Sequence, residues 1–475
     1  MPSFTKLGVP GVLAASLAEQ AITSPFPIQS ATLPDTLVGR DVLGRGRTGS
    51  GKTLAFALPL VARLAGLVED GRPVAARTRP GHPRGLVLAP TRELANQILQ
   101  TISPLAAAAG LTATTIFGGV NQRPQVQRLR SGVDIVVATP GRLEDLMAQG
   151  EAHLSAVVIT VIDEADHMAD LGFLPAVTRI LAATPATGQR MLFSATLDNG
   201  VDKLVHRFLA NPVQHSVDTA QSPVAAMTHH VFLVPDAAGK REIVRELASG
   251  STRRLLFTRT KHQARKLARE LTAGGIPAVE LHGNLSQNAR ERGLKAFASG
   301  EVRVMVATDI AARGIHVDDV DLVVHVDPPA EHKAYLHRSG RTARAGQAGD
   351  VATLVLPEQR KDFHALARAA RITVQPAPVR PGDATLLALV GSTADRVDPT
   401  TAPSAAAARP EPGATGRTAP RTSRPTGHKP RPRSNGNHTG HGSPAPATSG
   451  GAARLSAQGT RRSGGSRRPG RRSAR

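Results

Sequence analysis

The chain has 475 residues, 40% of them hydrophobic, enough for two or three domains with cores of their own. It contains no cysteine, which excludes disulfide frameworks and thiolate metal sites and fits a reducing cytoplasm, the expected location. The formal net charge is +22, and +14 of it falls in residues 401–475, where fifteen Lys and Arg face the single acid Glu411. A basic tail of this kind points to a polyanion partner, or else to a solvated segment that aids solubility.

Met1–Lys6 shows no basic region followed by an apolar run, so no secretory signal is expected. No uncharged apolar stretch is long enough for a bilayer, so no membrane partner is expected. The first element with a chemical signature follows Asp41-Val42-Leu43-Gly44, which reads as a strand end. Gly46-Arg47-Thr48-Gly49-Ser50-Gly51-Lys52-Thr53 fits G-x-x-x-x-G-K-[ST]. Glycines let the backbone turn so that N–H groups of Thr48, Gly49, Ser50 and Gly51 face phosphate oxygens. The next helix, expected over Thr53–Leu67, adds the positive end of its dipole. Lys52 would reach the β/γ-phosphates, and the Thr53 hydroxyl would hold Mg²⁺. This predicts ATP with Mg²⁺ as the cofactors.

Apolar runs then alternate with helix-length segments. Gly85–Ala89, Thr114–Phe117, Asp134–Ala138, Val157–Ile162 and Met191–Phe193 read as strands of a parallel sheet covered on both faces. Arg72–Arg84 reads as an exposed loop. Val161-Ile162-Asp163-Glu164-Ala165-Asp166 ends one strand in a carboxylate cluster. Near a phosphate loop, Asp163 would hold Mg²⁺ and Glu164 would orient and deprotonate the attacking water. A second series follows at Val231–Val234, Arg254–Phe257, Ala278–Leu281, Val302–Ala307, Leu322–Val326 and Ala352–Leu356. The expected organisation is α/β, with a first domain over 1–217, a linker over 218–228 and a second domain over 229–378. From 379 to 475 Pro, Gly, Ser, Thr, Ala and Arg dominate, and a disordered basic tail is expected. No internal repeat of fixed period is found.

The order of these motifs, over Phe4 to about Arg371, resembles the DEAD-box RNA helicases of helicase superfamily two. The resemblance implies two tandem RecA-like domains. Pro25-Phe26-Pro27-Ile28-Gln29, with Phe4 upstream, is similar to the family's adenine-reading motif. Gln29 can both donate to and accept from an adenine edge. The family's usual aromatic is here Ile22, and its usual hydroxyl residue is Phe26, which implies looser nucleotide selectivity. Pro90, Thr91 and Arg92, Gly118 and Gly119, and Thr139, Gly141 and Arg142 fall where the family contacts RNA backbone. Taken singly, Thr91 or Thr139 also reads as an ordinary helix cap.

By the same resemblance, Ser194 and Thr196 would hydrogen-bond the Asp163–Asp166 cluster and couple ATP state to RNA state. Phe257-Thr258-Arg259-Thr260 is similar to the next motif. Gln287, Arg290 and Thr308 would meet RNA, and Arg313 would help join the domains. The family usually has Asp at the position of His316. His337-Arg338-Ser339-Gly340-Arg341-Thr342-Ala343-Arg344 resembles the arginine-finger motif, with His337 coupling and Arg341 and Arg344 meeting the γ-phosphate. Read without the resemblance, it is also a basic helix facing RNA.

The implied function is RNA-stimulated ATP hydrolysis, coupled to domain closure and to local, non-processive unwinding of short RNA duplexes. An ATP-gated RNA clamp or annealing chaperone is the alternative, and a DNA-directed helicase of the same superfamily a third. RNA backbone contacts would be sequence-blind, with the basic tail as a tether. Ribosomal or RNA-decay complexes are compatible partners.

Overall fold

Short runs rich in Val, Ile and Leu between helix-length segments become the strands of two parallel sheets, in a computed structural model of the chain. The structure describes residues 2–46, 49–68, 78–197, 199–217, 227–312, 320–342 and 349–398. The first sheet holds β1 (Val42–Arg45), β2 (Gly85–Leu88), β3 (Ala113–Ile116), β4 (Ile135–Ala138), β5 (Ile159–Ile162), β6 (Gln189–Ser194) and β7 (Val213–Ser216), in the order β3-β4-β2-β5-β6-β1-β7. The second holds β8 (Met227–Leu233), β9 (Arg254–Phe257), β10 (Ala278–Leu281), β11 (Val304–Ala307), β12 (Leu322–His325), β13 (Gly349–Val355) and β14 (Ala377–Pro378), in the order β10-β11-β9-β12-β13-β8-β14. All pairings are parallel, so each connection is a crossover that packs helices on the faces. The central strands β2, β4, β5, β9 and β11 are buried along their whole length, as two covered faces require. Each lobe therefore has two core layers, one on either side of its sheet.

This topology places the motifs. Parallel strands all end at one edge of their sheet, and the loops there are the natural ligand sites. Along the carboxyl edge of the first sheet, the order of strands sets Gly118-Gly119, Thr139–Arg142, Pro90–Glu93, Asp163–Asp166, Ser194–Thr196 and Gly46–Thr53 in a row. The segments expected to meet RNA occupy one half of that edge and those expected to meet nucleotide the other. The Asp163–Asp166 turn lies between them.

Three expectations are corrected. β8 begins at Met227, so residues 227 and 228 belong to the second sheet; the rest of the expected linker lies outside the described residues. The segment ending at Arg84 is not all exposed: Arg84 is buried, with Nη2 2.7 Å from Asp134 Oδ1 and Nη1 donating to the Leu64 carbonyl at 3.1 Å. The tail does not begin at 379. The segment 377–398 straps the second lobe from the β14 edge to the β10 edge, across the amino ends of its strands. β14 pairs with β8, and the helix Ala384–Val390 packs on the helix Ala237–Ala248. Val397 N–H then donates to the Gly275 carbonyl at 3.0 Å. Leu386 and Val390 are buried, each contributing about 1.5–3 kcal/mol. The Val390 carbonyl accepts from the buried Arg254 Nη2 at 2.6 Å, and burial brings that guanidinium down to about 10. Composition misleads here because three apolar residues on one helix face, Leu386, Leu389 and Val390, suffice to dock one short helix. The expected tail from 399 on lies outside the described residues.

The second lobe also holds a polar cluster inside its core. His229 Nδ1 and the Tyr335 hydroxyl lie 3.0 Å apart, and the Tyr335 and Thr353 hydroxyls 3.3 Å. The His325 ring meets Tyr335 edge-on at 4.6 Å. Burial, with His230 nearby, brings His229 down to about 4; burial, with Arg338 and His229, holds His325 well below the ordinary imidazole range. No helix among the described residues is long and apolar enough to cross a membrane.

Candidate nucleotide and RNA site

The phosphate loop bends through Gly51, whose φ of +89° favours glycine and which caps the helix Lys52–Leu64. A Cβ there would lie 2.6 Å from Gln29 Nε2 and 3.0 Å from Phe26, so a side chain would obstruct the cradle. No side chain caps the helix, which leaves its first N–H groups open to an anion. Lys52 is buried, its Nζ donating to the Gly46 carbonyl at 2.7 Å. Ser50 Oγ is buried without a hydrogen-bond partner. Gly46 N–H donates to the Ser194 carbonyl at 3.1 Å, tying the loop to the end of β6.

Past β5, Asp163, Glu164 and Asp166 are all buried. Burial pushes the Asp163 carboxyl up to about 7; Lys52 opposes that rise, and Glu164 and Asp166 add to it. Burial also works against ionised Glu164. Its hydrogen bond with His167 Nδ1 at 3.2 Å outweighs this, together with the charges of His167, Lys52 and Arg341, and holds the carboxyl well below its usual range. The two neighbours are thus pushed apart, one towards its proton and one towards its charge. Glu164 has φ 49° and ψ 53°, left-handed for a residue with a Cβ. Asp166 is locked in place: Oδ2 accepts from Thr196 N–H and Oγ1, each at 2.9 Å, and its own N–H donates to Ser194 Oγ at 3.2 Å. A buried ammonium, an orphaned hydroxyl, an uncapped helix start and a buried carboxyl at the strand end fit a phosphate chain with a divalent metal. Lys52, Ser50 and the loop amides would hold the phosphates, and Thr53 and Asp163 the Mg²⁺.

The expected base-reading residues sit differently. Gln29 is buried; its Oε1 accepts from Phe26 N–H at 2.8 Å and its Nε2 donates to the Gly51 carbonyl at 2.9 Å. Phe4 lies in the first lobe's core, 4% exposed.

At the other half of the edge, Thr91 Oγ1 caps its helix by accepting from Leu94 N–H at 3.3 Å, while Thr139 occupies a cap position without using its hydroxyl. Gly119, at φ +73°, lies so close to Arg92 that any Cβ would collide with the guanidinium. Arg142 donates to the Val120 carbonyl at 3.4 Å. Burial, then the like charges of Arg290 and Arg142, lower the Arg92 guanidinium below its ordinary value against the opposing pull of Glu93. Pro90 is buried, and Gly118 and Gly141 frame the same edge.

The lobes meet here. Arg290 Nε lies 2.7 Å from Glu93 Oε1, and Gln287 Nε2 reaches the same oxygen at 3.4 Å. Gln287 and Arg290, expected on RNA, bond protein groups here: Glu93 across the junction and, within their own lobe, Glu291 Oε1 at 3.0 Å for Gln287 and the His282 carbonyl at 3.3 Å for Arg290. Thr308 N–H donates to the Leu281 carbonyl at 3.1 Å. Asp309 next to it holds Arg338, which donates to both carboxylate oxygens and, at 2.7 Å, to the Asp327 carbonyl. That anchors the helix His332–Ser339 carrying His337, and just beyond it the buried Arg341, whose charge reaches Glu164 in the other lobe. Sequence reasoning missed Glu93, His167, Asp309 and Arg338 as site residues. Each lies inside or one position beyond a quoted motif, and His167, three residues after Glu164 on one helical turn, was the readable signal. Thr48, Arg313, His316 and Arg344 lie outside the described residues.

Residues 26–204 match the DEAD/DEAH box helicase domain, and 239–346 the helicase conserved C-terminal domain. The ATP-dependent rRNA helicase RRP3 of Yarrowia lipolytica is 38% identical over 367 residues, covering 74% of this chain and 72% of that protein. The chain belongs to the DEAD-box helicase family. Among other relatives, the chloroplastic DEAD-box ATP-dependent RNA helicase 3A of Zea mays is 42% identical over 373 residues, 77% of this chain and 49% of that one. The chain thus spans about half the length of that relative. The solved structure of S. cerevisiae Dbp5 bound to RNA and ADP BeF3 superposes with a TM-score of 0.70 at 26% identity, covering 82% of this chain and all of that one.

Proposed function

We propose that the protein is an RNA-stimulated ATPase that uses closure of its two lobes to open short RNA duplexes locally. One observation carries this reading: the lobes touch at the carboxyl edges of their sheets, Arg290 Nε 2.7 Å from Glu93 Oε1, with the buried Arg341 of the second lobe near enough for its charge to act on Glu164 of the first. A carboxylate base and a guanidinium from separate lobes make a site that is complete only when the lobes are together. Lys52 and the loop amides hold the phosphates, and Glu164 takes a proton from the attacking water. Arg341 stabilises negative charge as it develops on the γ-phosphate, with Arg344 alongside. Thr53 and Asp163 would hold Mg²⁺, which would supply positive charge to the phosphates when bound.

RNA backbone bridging Thr91, Gly119 and Thr139 on one lobe and Thr308 on the other favours the same closed state, so ATP and RNA bind cooperatively. Arg92, Arg142 and Arg290 supply the positive field. Asp166, Ser194 and Thr196 sit between the two half-edges and report one ligand to the other, with His337 and Arg313 on the facing lobe. The basic segment 401–475 tethers RNA without reading its sequence. The absence of cysteine suits a cytoplasmic setting.

The test measures ATP turnover and duplex release by the full chain with and without single-stranded RNA. Turnover that rises strongly with RNA, with release of short duplexes, is expected. Equal turnover with and without RNA would end the reading, and stimulated turnover without strand release would favour the clamp.

A further inference from the structure

We propose that His167 is a positioning residue for hydrolysis: it donates from Nδ1 to Glu164 and so aims that carboxylate at the attacking water. The proposal rests on the reading of Glu164 as the base. His167 Nδ1 lies 3.2 Å from Glu164 Oε2. An ionised carboxylate can only accept, so Nδ1 carries the hydrogen of this bond. Both side chains are buried, and they stand three residues apart on one helical turn. The terminal torsion of a glutamate is broad, so the backbone alone does not set the plane of its two oxygens. The bond to Oε2 sets that plane, and with it the direction of Oε1.

The imidazole is itself held. His167 N–H donates to Asp166 Oδ1 at 3.0 Å, and its carbonyl accepts from Leu171 N–H at 3.1 Å. The other oxygen of Asp166 is tied to Thr196, just past β6. Orientation therefore passes from the end of a central strand through Asp166 and His167 to Glu164. A base oriented by a third group is a recurring way to keep a reacting oxygen in line.

Stability does not account for an imidazole at this position. Its Nε2 is buried with no hydrogen-bond partner. A buried polar atom without a partner destabilises a fold, and a phenyl ring of similar shape carries no such atom. Among the described residues the ring bonds Glu164 alone. The side chain thus weakens the core at one nitrogen and serves the base at the other.

The experiment is steady-state ATP turnover by the full chain with Mg²⁺ and saturating single-stranded RNA. It compares wild type with His167→Phe, His167→Asn, His167→Gln and Glu164→Gln, with thermal unfolding and RNA affinity followed for each. Asn carries its amide nitrogen where the imidazole carries Nδ1, and Gln where it carries Nε2. His167→Phe is expected to lower kcat by about 10- to 100-fold, with KM for ATP and affinity for RNA within about threefold of wild type. It should unfold no earlier than wild type. His167→Asn restores most of the turnover, and His167→Gln, with its donor displaced, does not. Wild-type kcat in His167→Phe beside an inactive Glu164→Gln would overturn the proposal and leave the base in place. So would equal kcat in His167→Asn and His167→Gln, or a loss in His167→Phe that comes with earlier unfolding and weaker ATP binding, which is a packing defect. If His167→Phe does not fold, the Asn and Gln variants decide. Glu164→Gln turning over at the wild-type rate would remove the base and its positioner together.

Discussion

At the carboxyl edge of the first sheet the proposed base is a carboxylate, and hydroxyls and an imidazole hold it and its neighbour. At the facing edge of the second the proposed partners are guanidiniums, and there carboxylates do the holding. Asp166 is fixed by Ser194 and Thr196, and Glu164 by His167. In the other lobe Arg338 is fixed by Asp309, and Lys240 by Asp327 at 2.8 Å. The strand orders correspond position for position, so topology does not decide which lobe is acid and which is base. The residues just past each strand decide it. In the proposed mechanism, a site divided this way is complete only while the lobes are together.

The strongest way to break the comparison is to remove one working group from each side. Arg341→Ala is expected to lower RNA-stimulated kcat by about 10³–10⁵, and Glu164→Gln by about 10²–10⁴. Glu164→Gln should keep nucleotide affinity within a few-fold. If either variant turned over at the wild-type rate, the pairing across the lobes would be irrelevant to hydrolysis.

A second cut tests whether the lobes melt as separate bodies. Ending the chain at 398 should leave both intact, whereas ending it at 385 removes Leu386, Val390 and the carbonyl that accepts from Arg254. That should destabilise the second lobe by about 3–5 kcal/mol, seen as an early transition in a thermal melt. A single unshifted melt for the 385 truncation would show that the strap is ornamental.

The junction is tested next. Glu93→Ala and Arg290→Ala should each weaken the mutual enhancement of ATP and RNA binding by roughly 1–3 kcal/mol, and the double variant should cost little more than either alone. Additive losses would mean that the two side chains act independently.

The smallest effect sharpens the contrast between the two interiors. His229, at about 4 in the folded state, lies below its ordinary value of 6.5. Folding therefore releases protons between these values, and the stability present above pH 6.5 is lost as pH falls towards 4. Of order 2 kcal/mol should go from the second lobe over that range. His229→Gln should flatten this dependence; an identical acid profile in wild type and variant would assign the loss elsewhere.

Most of this was legible in the sequence, for a reason visible in particular residues. Runs such as Gly85–Ala89 and Val302–Ala307 contain β2 and β11 because a strand covered on both faces has to be apolar throughout. Gly46–Thr53 and Asp163–Asp166 were readable because phosphate and metal chemistry tolerate few alternatives. β7 and β14 escaped notice: one alternates Val-Gln-His-Ser at an edge, and the other is two residues long. The junction made by Glu93 and Arg290 was illegible because its halves are 197 residues apart. Gln29 and Phe4 show the opposite limit: a motif gives a residue's neighbourhood, but not which hydrogen bonds it has already formed.

The left-handed backbone at Glu164 has a consequence for how the protein ages and varies. A side chain there keeps the chain in a conformation that costs roughly 1–3 kcal/mol, a stress the surrounding core has to contain. A glycine would relieve it and silence the site at once. The turn that aims the carboxylate is therefore a point where sturdiness and activity pull in opposite directions, and drift towards a tougher molecule would tend to pass through an inert one.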